Sequence, residues 1–213
     1  MKPNERLAVI DLGSNSFRMV VFLAGGSWWR RTDEIYEAVR IGEGLAETGM
    51  LGELPMQRAL STLEVFAHFA AASGLGSESL DAVATSAIRD AGNAEAFLAR
   101  ARERSRLPIR VLTREQEARY AYLAAVNSTT LSDGYVLDLG GGSLQLVQVA
   151  DRLARRSGSW PVGTVRMSER FLPGRGPAKR RQLQELREHL AAQLQEFTRC
   201  PRKSWSIRAF RKP

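Results

Sequence analysis

Asp138 is followed closely by Gly140, Gly141, Gly142 and Ser143, and Asp11 in the same way by Gly13, Ser14, Asn15 and Ser16. Glycines let successive backbone N–H groups converge with no Cβ in the way, so such a stretch can cradle phosphate oxygens while a serine adds a hydroxyl. A neighbouring aspartate can hold a hard, oxygen-seeking cation such as Mg²⁺. Taken singly, each stretch reads equally as a glycine-rich hairpin with a capping aspartate. Neither is a P-loop, since no G-x-x-x-x-G-K-[ST] occurs, and the G-x-G-x-x-G of a dinucleotide-binding turn is absent from both.

These residues need strands to place them. Residues 134–149 read G-Y-V-L-D-L-G-G-G-S-L-Q-L-V-Q-V, two apolar runs on either side of the glycines, which predicts strand, tight turn, strand. Residues 7–22 read L-A-V-I-D-L-G-S-N-S-F-R-M-V-V-F. One gapless offset places Asp11 on Asp138, Leu12 on Leu139, Gly13 on Gly140, Ser16 on Ser143 and Val20 on Val147. A repeat made only for packing would not require aspartate at both turns. The pattern implies a duplicated fold in which two phosphate-binding turns face each other across a cleft.

Between the repeats, residues 27–41 continue as a third antiparallel strand, and residues 40–45 form a loop. Pro55 opens a helix whose apolar face carries Met56, Leu60, Leu63, Ala67 and Ala70, widened by Phe66 and Phe69. His68 between them reads as structural or exposed. A short strand over 80–84 leads into a loop carrying Arg89, which suits bidentate phosphate binding or, more plainly, a surface pair with Asp90. A helix over 94–105 and a strand over 108–112 follow, and Thr113 with Gln116 forms a capping box for the next helix. Glu115 stands four residues before Arg119 in the order favoured for an exposed ion pair. Glu117 points about 200° away and shares its face with Tyr120, Ala121 and Ala124. A carboxylate among small apolar groups is partly desolvated, which raises its pKa and suits it to general-base work.

The stretches D-L-G-S-N-S-F-R (11–18), A-T-S-A-I-R-D-A-G-N (84–93), R-E-Q-E-A-R-Y-A (114–121), D-L-G-G-G-S (138–143) and P-V-G-T-V-R-M-S-E-R-F (161–171) resemble, in that order, the exopolyphosphatase and guanosine pentaphosphate phosphatase family (Ppx/GppA). The resemblance implies an α/β protein of the actin-like ATPase fold, shared with sugar kinases and Hsp70 and ribonuclease H-like in its sheets. It implies a complete first domain over 1–126, a partial second domain over 127–197 and a basic tail over 198–213 outside the fold. It also implies hydrolysis of the terminal phosphoanhydride of polyphosphate, or of the 5′ phosphate of guanosine pentaphosphate, the alarmone of the stringent response. Asp11, Gly13, Ser14, Asn15, Ser16 and Gly140 to Ser143 would then bind phosphate, Arg89 would offset its charge, and Glu117 would activate water. Asp138 and Gln145 would hold Mg²⁺ or another divalent cation. Residues 164–171 match a helix of the family, in which Arg166 and Glu169 read as an intrahelical pair.

Two features depart from that family. Gln145 stands where the family has glutamate, so a cation shared with Asp138 is held more weakly. Beyond a helix with Leu183, Leu186, Leu190 and Leu194 at helical spacing, the family's next strand and its G-x-G-G-T turn do not follow. No acidic residue occurs after Glu196, and the tail reads as foreign to the fold, protease-sensitive from about Thr198. These departures keep open a catalytically impaired phosphate-ligand sensor, beside an actin-like ATPase or sugar kinase on the same fold.

Composition limits the remaining classes. The net charge is +8, yet residues 1–169 carry 19 basic against 20 acidic groups and residues 170–213 carry 12 against 3. An excess confined to one end argues against specific nucleic-acid binding. No apolar run approaches the roughly 18 residues of a membrane span, and no signal peptide is evident, so a cytoplasmic protein without a membrane partner is expected. Cys200 is the only cysteine, which excludes an internal disulfide and a thiolate metal cage. The family resemblance adds a homodimer for the full-length protein.

Overall fold

A computed structural model describes residues 5–174 and 176–198. The first half folds as β1 (Glu5–Leu12), β2 (Phe17–Gly25), β3 (Trp28–Glu37), α1 (Leu45–Thr48), α2 (Glu53–Ala72), β4 (Leu80–Ala84), α3 (Ser86–Asp90), α4 (Ala94–Ser105), β5 (Ile109–Val111) and α5 (Arg114–Ser128). The second half follows with β6 (Gly134–Leu139), β7 (Leu144–Ala150), β8 (Leu153–Trp160), α6 (Thr164–Phe171) and α7 (Arg180–Thr198). α5 runs on past residue 126, where the first domain is expected to end. The tail from residue 199 on, Cys200 included, lies outside the described residues.

Five strands form one sheet in the order β3-β2-β1-β4-β5, and three form a second in the order β6-β7-β8. β1, β2 and β3 run antiparallel, while β4 and β5 add in parallel through helical crossovers. The repeat read in the sequence is a repeat of pairing. Asp11 faces Arg18 across β1 and β2 as Asp138 faces Gln145 across β6 and β7, and Leu12 faces Phe17 as Leu139 faces Leu144. Even the irregularity recurs: β2 slips against β3 at Val21/Phe22, and β7 slips against β8 at the equivalent Gln148/Val149. A shared bulge re-aims the strand at the same step in both copies.

The main core lies between the five-stranded sheet and its helices. Alternation along β1 sends Ala8, Ile10 and Leu12 inward, where they meet Leu60, Leu63 and Phe66 of α2. His68 is exposed on the opposite side of α2. The third strand ends at Glu37, short of the expected Ile41. Arg40 takes a left-handed φ of 52°, which breaks the extended chain and turns Val39 and Ile41 into the core. A smaller core joins Leu144, Val162 and Met167 to Trp160 and Phe171, and Leu186, Leu190 and Leu194 of α7 pack on it at their helical spacing. Among the described residues, no helix is long and apolar enough to cross a membrane.

Candidate phosphate site

Each glycine turn is closed by the same hydrogen bond. Gly13 N donates to Ser16 O at 3.1 Å, and Gly140 N donates to Ser143 O at 2.9 Å. Among the described residues, the N–H groups of Ser14, Asn15, Gly141 and Gly142 donate to no backbone carbonyl, which leaves them free for an anion. The two turns face each other as the repeat implies, and at their tips they touch. A Cβ at Gly141 would lie 3.2 Å from Ser14 Cβ, and one at Gly142 would lie 2.5 Å from Ser14 Oγ and 2.4 Å from Ser86 Oγ. Gly163 closes the approach from behind, where a Cβ would meet the backbone of Gly141 and Gly142 at 2.4 Å. Only a cavity of about 10 Å³ remains at this contact, lined by Ser14, Gly42, Gly142, Arg166 and Glu169 among others.

Beside the turns lies an ion pair. Arg89 sits on the short helix α3 and not on a loop as the sequence suggests, because Ser86–Asp90 is too brief to show a helical period. Its Nη1 donates to Leu112 O at 3.0 Å and to the Glu117 carboxylate. The two side chains are only 16% and 11% exposed. Arg89 Nη2 is buried and finds no hydrogen-bond partner, which leaves a donor for an incoming oxygen. Asp90 also lies near Arg89, Oδ1 to Nε at 3.4 Å, so the simple neighbour pair is present alongside the bond to Glu117.

Glu117 stands above the ordinary carboxylate range. Burial is the main cause; the bond and charge of Arg89 oppose it, and the nearby charges of Asp11 and Asp90 add to it. The expected partner of Glu115 is replaced: its carboxylate turns back on its own N–H and on Thr113, which lowers its pKa. The capping box forms as expected, with Gln116 N donating to Thr113 Oγ1 at 3.2 Å and Thr113 N to Gln116 Oε1 at 2.9 Å.

Asp138 and Gln145 stand directly opposite in register and so share one face of the second sheet. Gln145 is 3% exposed, and its Nε2 donates to Ser143 Oγ at 2.9 Å and to Ser159 Oγ at 3.3 Å. Among the described residues, no group of three or more His, Cys, Asp or Glu side chains could hold a metal ion. One carboxylate and one amide fit Mg²⁺ carried largely by substrate oxygens and water, and not a dedicated protein cage.

Several residues at this site carry no signal of their own in the sequence. Ser86 Oγ lies 3.1 Å from Ser14 Oγ in the buried contact between β1's turn and α3. Arg166 does not pair with Glu169. Its Nη2 donates to Asp90 Oδ2 at 2.8 Å, while Glu169 Oε1 accepts from Gly44 N at 3.1 Å. Both partners are distant in sequence, so spacing alone pairs Arg166 with Glu169 and does not point to Asp90 or Gly44.

Two turns related by one offset, each between antiparallel strands and meeting beside a helix-borne arginine, define a protein of the actin-like ATPase fold. Residues 32–209 match the model of the Ppx/GppA phosphatase family. The chain belongs to that family. Exopolyphosphatase 1 of Mycobacterium tuberculosis is 34% identical over 194 residues, 90% of this chain and 56% of its own length. The Aquifex aeolicus PPX-GPPA enzyme is 33% identical with a TM-score of 0.73, covering 92% of this chain and 64% of its own. An exopolyphosphatase from Cytophaga hutchinsonii reaches a TM-score of 0.84 at 22% identity, a likeness of fold, over 91% of this chain and 62% of its own. The chain thus spans a little over half the length of the curated relatives it matches.

Proposed function

We propose that the site binds the terminal phosphate of a phosphoanhydride and directs water onto it, with polyphosphate or guanosine pentaphosphate as substrate. The observation that carries this is the meeting of two glycine turns with unspent N–H groups next to the buried Arg89 and Glu117. Phosphoryl transfer depends mainly on positioning and charge stabilisation, which is what such a set supplies. Ser14, Asn15, Gly141 and Gly142 would donate to the terminal phosphate, with Gly13, Ser16, Gly140 and Ser143 shaping the turns. Arg89 would offer Nη2 to a phosphate oxygen. As the phosphate takes up guanidinium charge, Glu117 is released to accept a proton from water, and its raised basicity suits that role. Asp138, with Gln145 beside it, would hold Mg²⁺, whose charge offsets that of the phosphate oxygens when bound.

Phosphate release from polyphosphate and from guanosine pentaphosphate, with and without Mg²⁺ and with ATP as control, tests the proposal. Release from either of the first two in preference to ATP supports it, and release from ATP alone refutes it. A second reading, a phosphate-ligand sensor with impaired turnover, is favoured by the buried Gln145, which brings no negative charge to the cation. Saturable binding of the same ligands without phosphate release is its signature.

A further inference from the structure

We infer that Arg166 and Asp90 form a tie that sets the second glycine turn against Arg89 and Glu117, and so act as positioning residues. The catalytic consequence rests on the function proposed above; the tie itself does not. Arg166 reaches both parts of the site at once. Its backbone N–H donates to Gly141 O at 3.2 Å, and its side chain donates to Asp90 Oδ2 at 2.8 Å. Asp90 closes α3 and is the chain neighbour of Arg89. Its other oxygen lies 3.4 Å from Arg89 Nε and 3.5 Å from Arg114 Nη2. One carboxylate therefore sits among three guanidinium groups and limits the repulsion between them.

Burial gives the tie its weight. Arg166 and Asp90 are 21% and 16% exposed, so their attraction is screened less than that of a surface pair. The same helix is held along its length. Thr164 and Val165 donate to Gly140 O and Gly141 O at 2.9 Å, and Glu169 accepts from Gly44 N at 3.1 Å. The loop containing Gly44 in turn clasps the first glycine turn, with Arg40 N on Asn15 O at 2.8 Å and Gly42 N on Ser14 O at 2.9 Å. α6 thus spans from one phosphate turn to the loop that braces the other. Arg166 lines the small space between the turns, but its side chain is engaged by Asp90 and its N–H by Gly141 O, which makes the role of the pair one of placement.

The test is Arg166→Ala, Asp90→Asn and the double variant, read by phosphate release and by backbone hydrogen exchange at Gly140, Thr164, Val165 and Arg166, the amides whose hydrogen bonds close the turn and hold α6 on it. Exchange at these amides should rise by about tenfold or more in each single variant, as expected for the loss of a charge-assisted hydrogen bond. Turnover should fall by roughly 10- to 100-fold through kcat with little change in KM, the scale of a small misplacement. The double variant should be no worse than the worse single one, and Arg166→Lys should recover part of the loss. Arg166→Gln keeps most of the side-chain length and leaves Asp90 with Arg89 and Arg114, so it decides the matter if Arg166→Ala does not fold. Unchanged exchange in the single variants, or strictly additive losses, would overturn the tie. If the parent chain releases no phosphate, the proposed function falls while the exchange measurement still decides the tie.

Discussion

At the scale of single residues, Glu117 is where burial and charge oppose each other. Its carboxyl is held above the usual range, so it must be ionised at a higher pH than a free glutamate before it can accept a proton. The acid limb of kcat/KM should therefore lie above the ordinary carboxylate pKa, with activity rising as pH rises through it. The linkage to stability has the opposite sense: the fold favours the protonated form, so this group's contribution is present at low pH and lost as pH rises through the raised pKa. Glu117→Gln should remove the limb and lower kcat by roughly 100-fold or more while leaving KM nearly unchanged. Full activity in that variant would take Glu117 out of the mechanism. Gln145 gives a second expectation. It faces Asp138 in register and is buried, so Gln145→Glu should lower the Mg²⁺ concentration needed for half-maximal phosphate release. A Mg²⁺ titration unmoved by the change would put residue 145 outside the cation's shell.

At the scale of elements, the packing of α6 against the second turn depends on an absent side chain. A Cβ at Gly163 would fall 2.4 Å from three backbone atoms of Gly141 and Gly142, atoms that cannot swing away as a side-chain tip can. Gly163→Ala should therefore cost about 1–3 kcal/mol and lower Tm by several degrees, with phosphate release falling alongside. An unchanged melt would mean that the turn yields without cost. The elements that were legible in the sequence are those whose signal is local. Alternation and the aspartates beside the glycine turns marked β1, β2, β6 and β7, and the fixed offset between the two stretches is matched by an equivalent register in the two hairpins. β8 was harder to read because Arg155, Arg156, Ser157 and Gly158 show no alternation on an exposed strand. α3 is too short to carry a period. The partner of Arg166 was hidden for another reason: spacing offers Glu169 one turn away, and tertiary packing offers Asp90 from a distant helix, which wins.

At the scale of the molecule, the two halves share a plan but not a degree of cover. β1 lies between β2 and the parallel β4, and its Ile10 and Leu12 are fully buried. β6, its counterpart by the repeat, pairs with β7 and, among the described residues, stands at the end of its sheet. Leu137 and Leu139, the equivalents of Ile10 and Leu12, are 60% and 48% exposed. An end strand with an outward apolar pair is a template for association between chains. The chain should accordingly show concentration-dependent self-association by size-exclusion chromatography with light scattering. Leu137→Lys places a charge on that face and should shift the distribution toward monomer. Because the side chain is already exposed, the substitution should move stability by no more than about 0.5 kcal/mol, so a thermal melt separates lost association from lost folding. A parent chain that stays monomeric at every concentration would show that the β6 face is not a contact surface, whatever its apolar character.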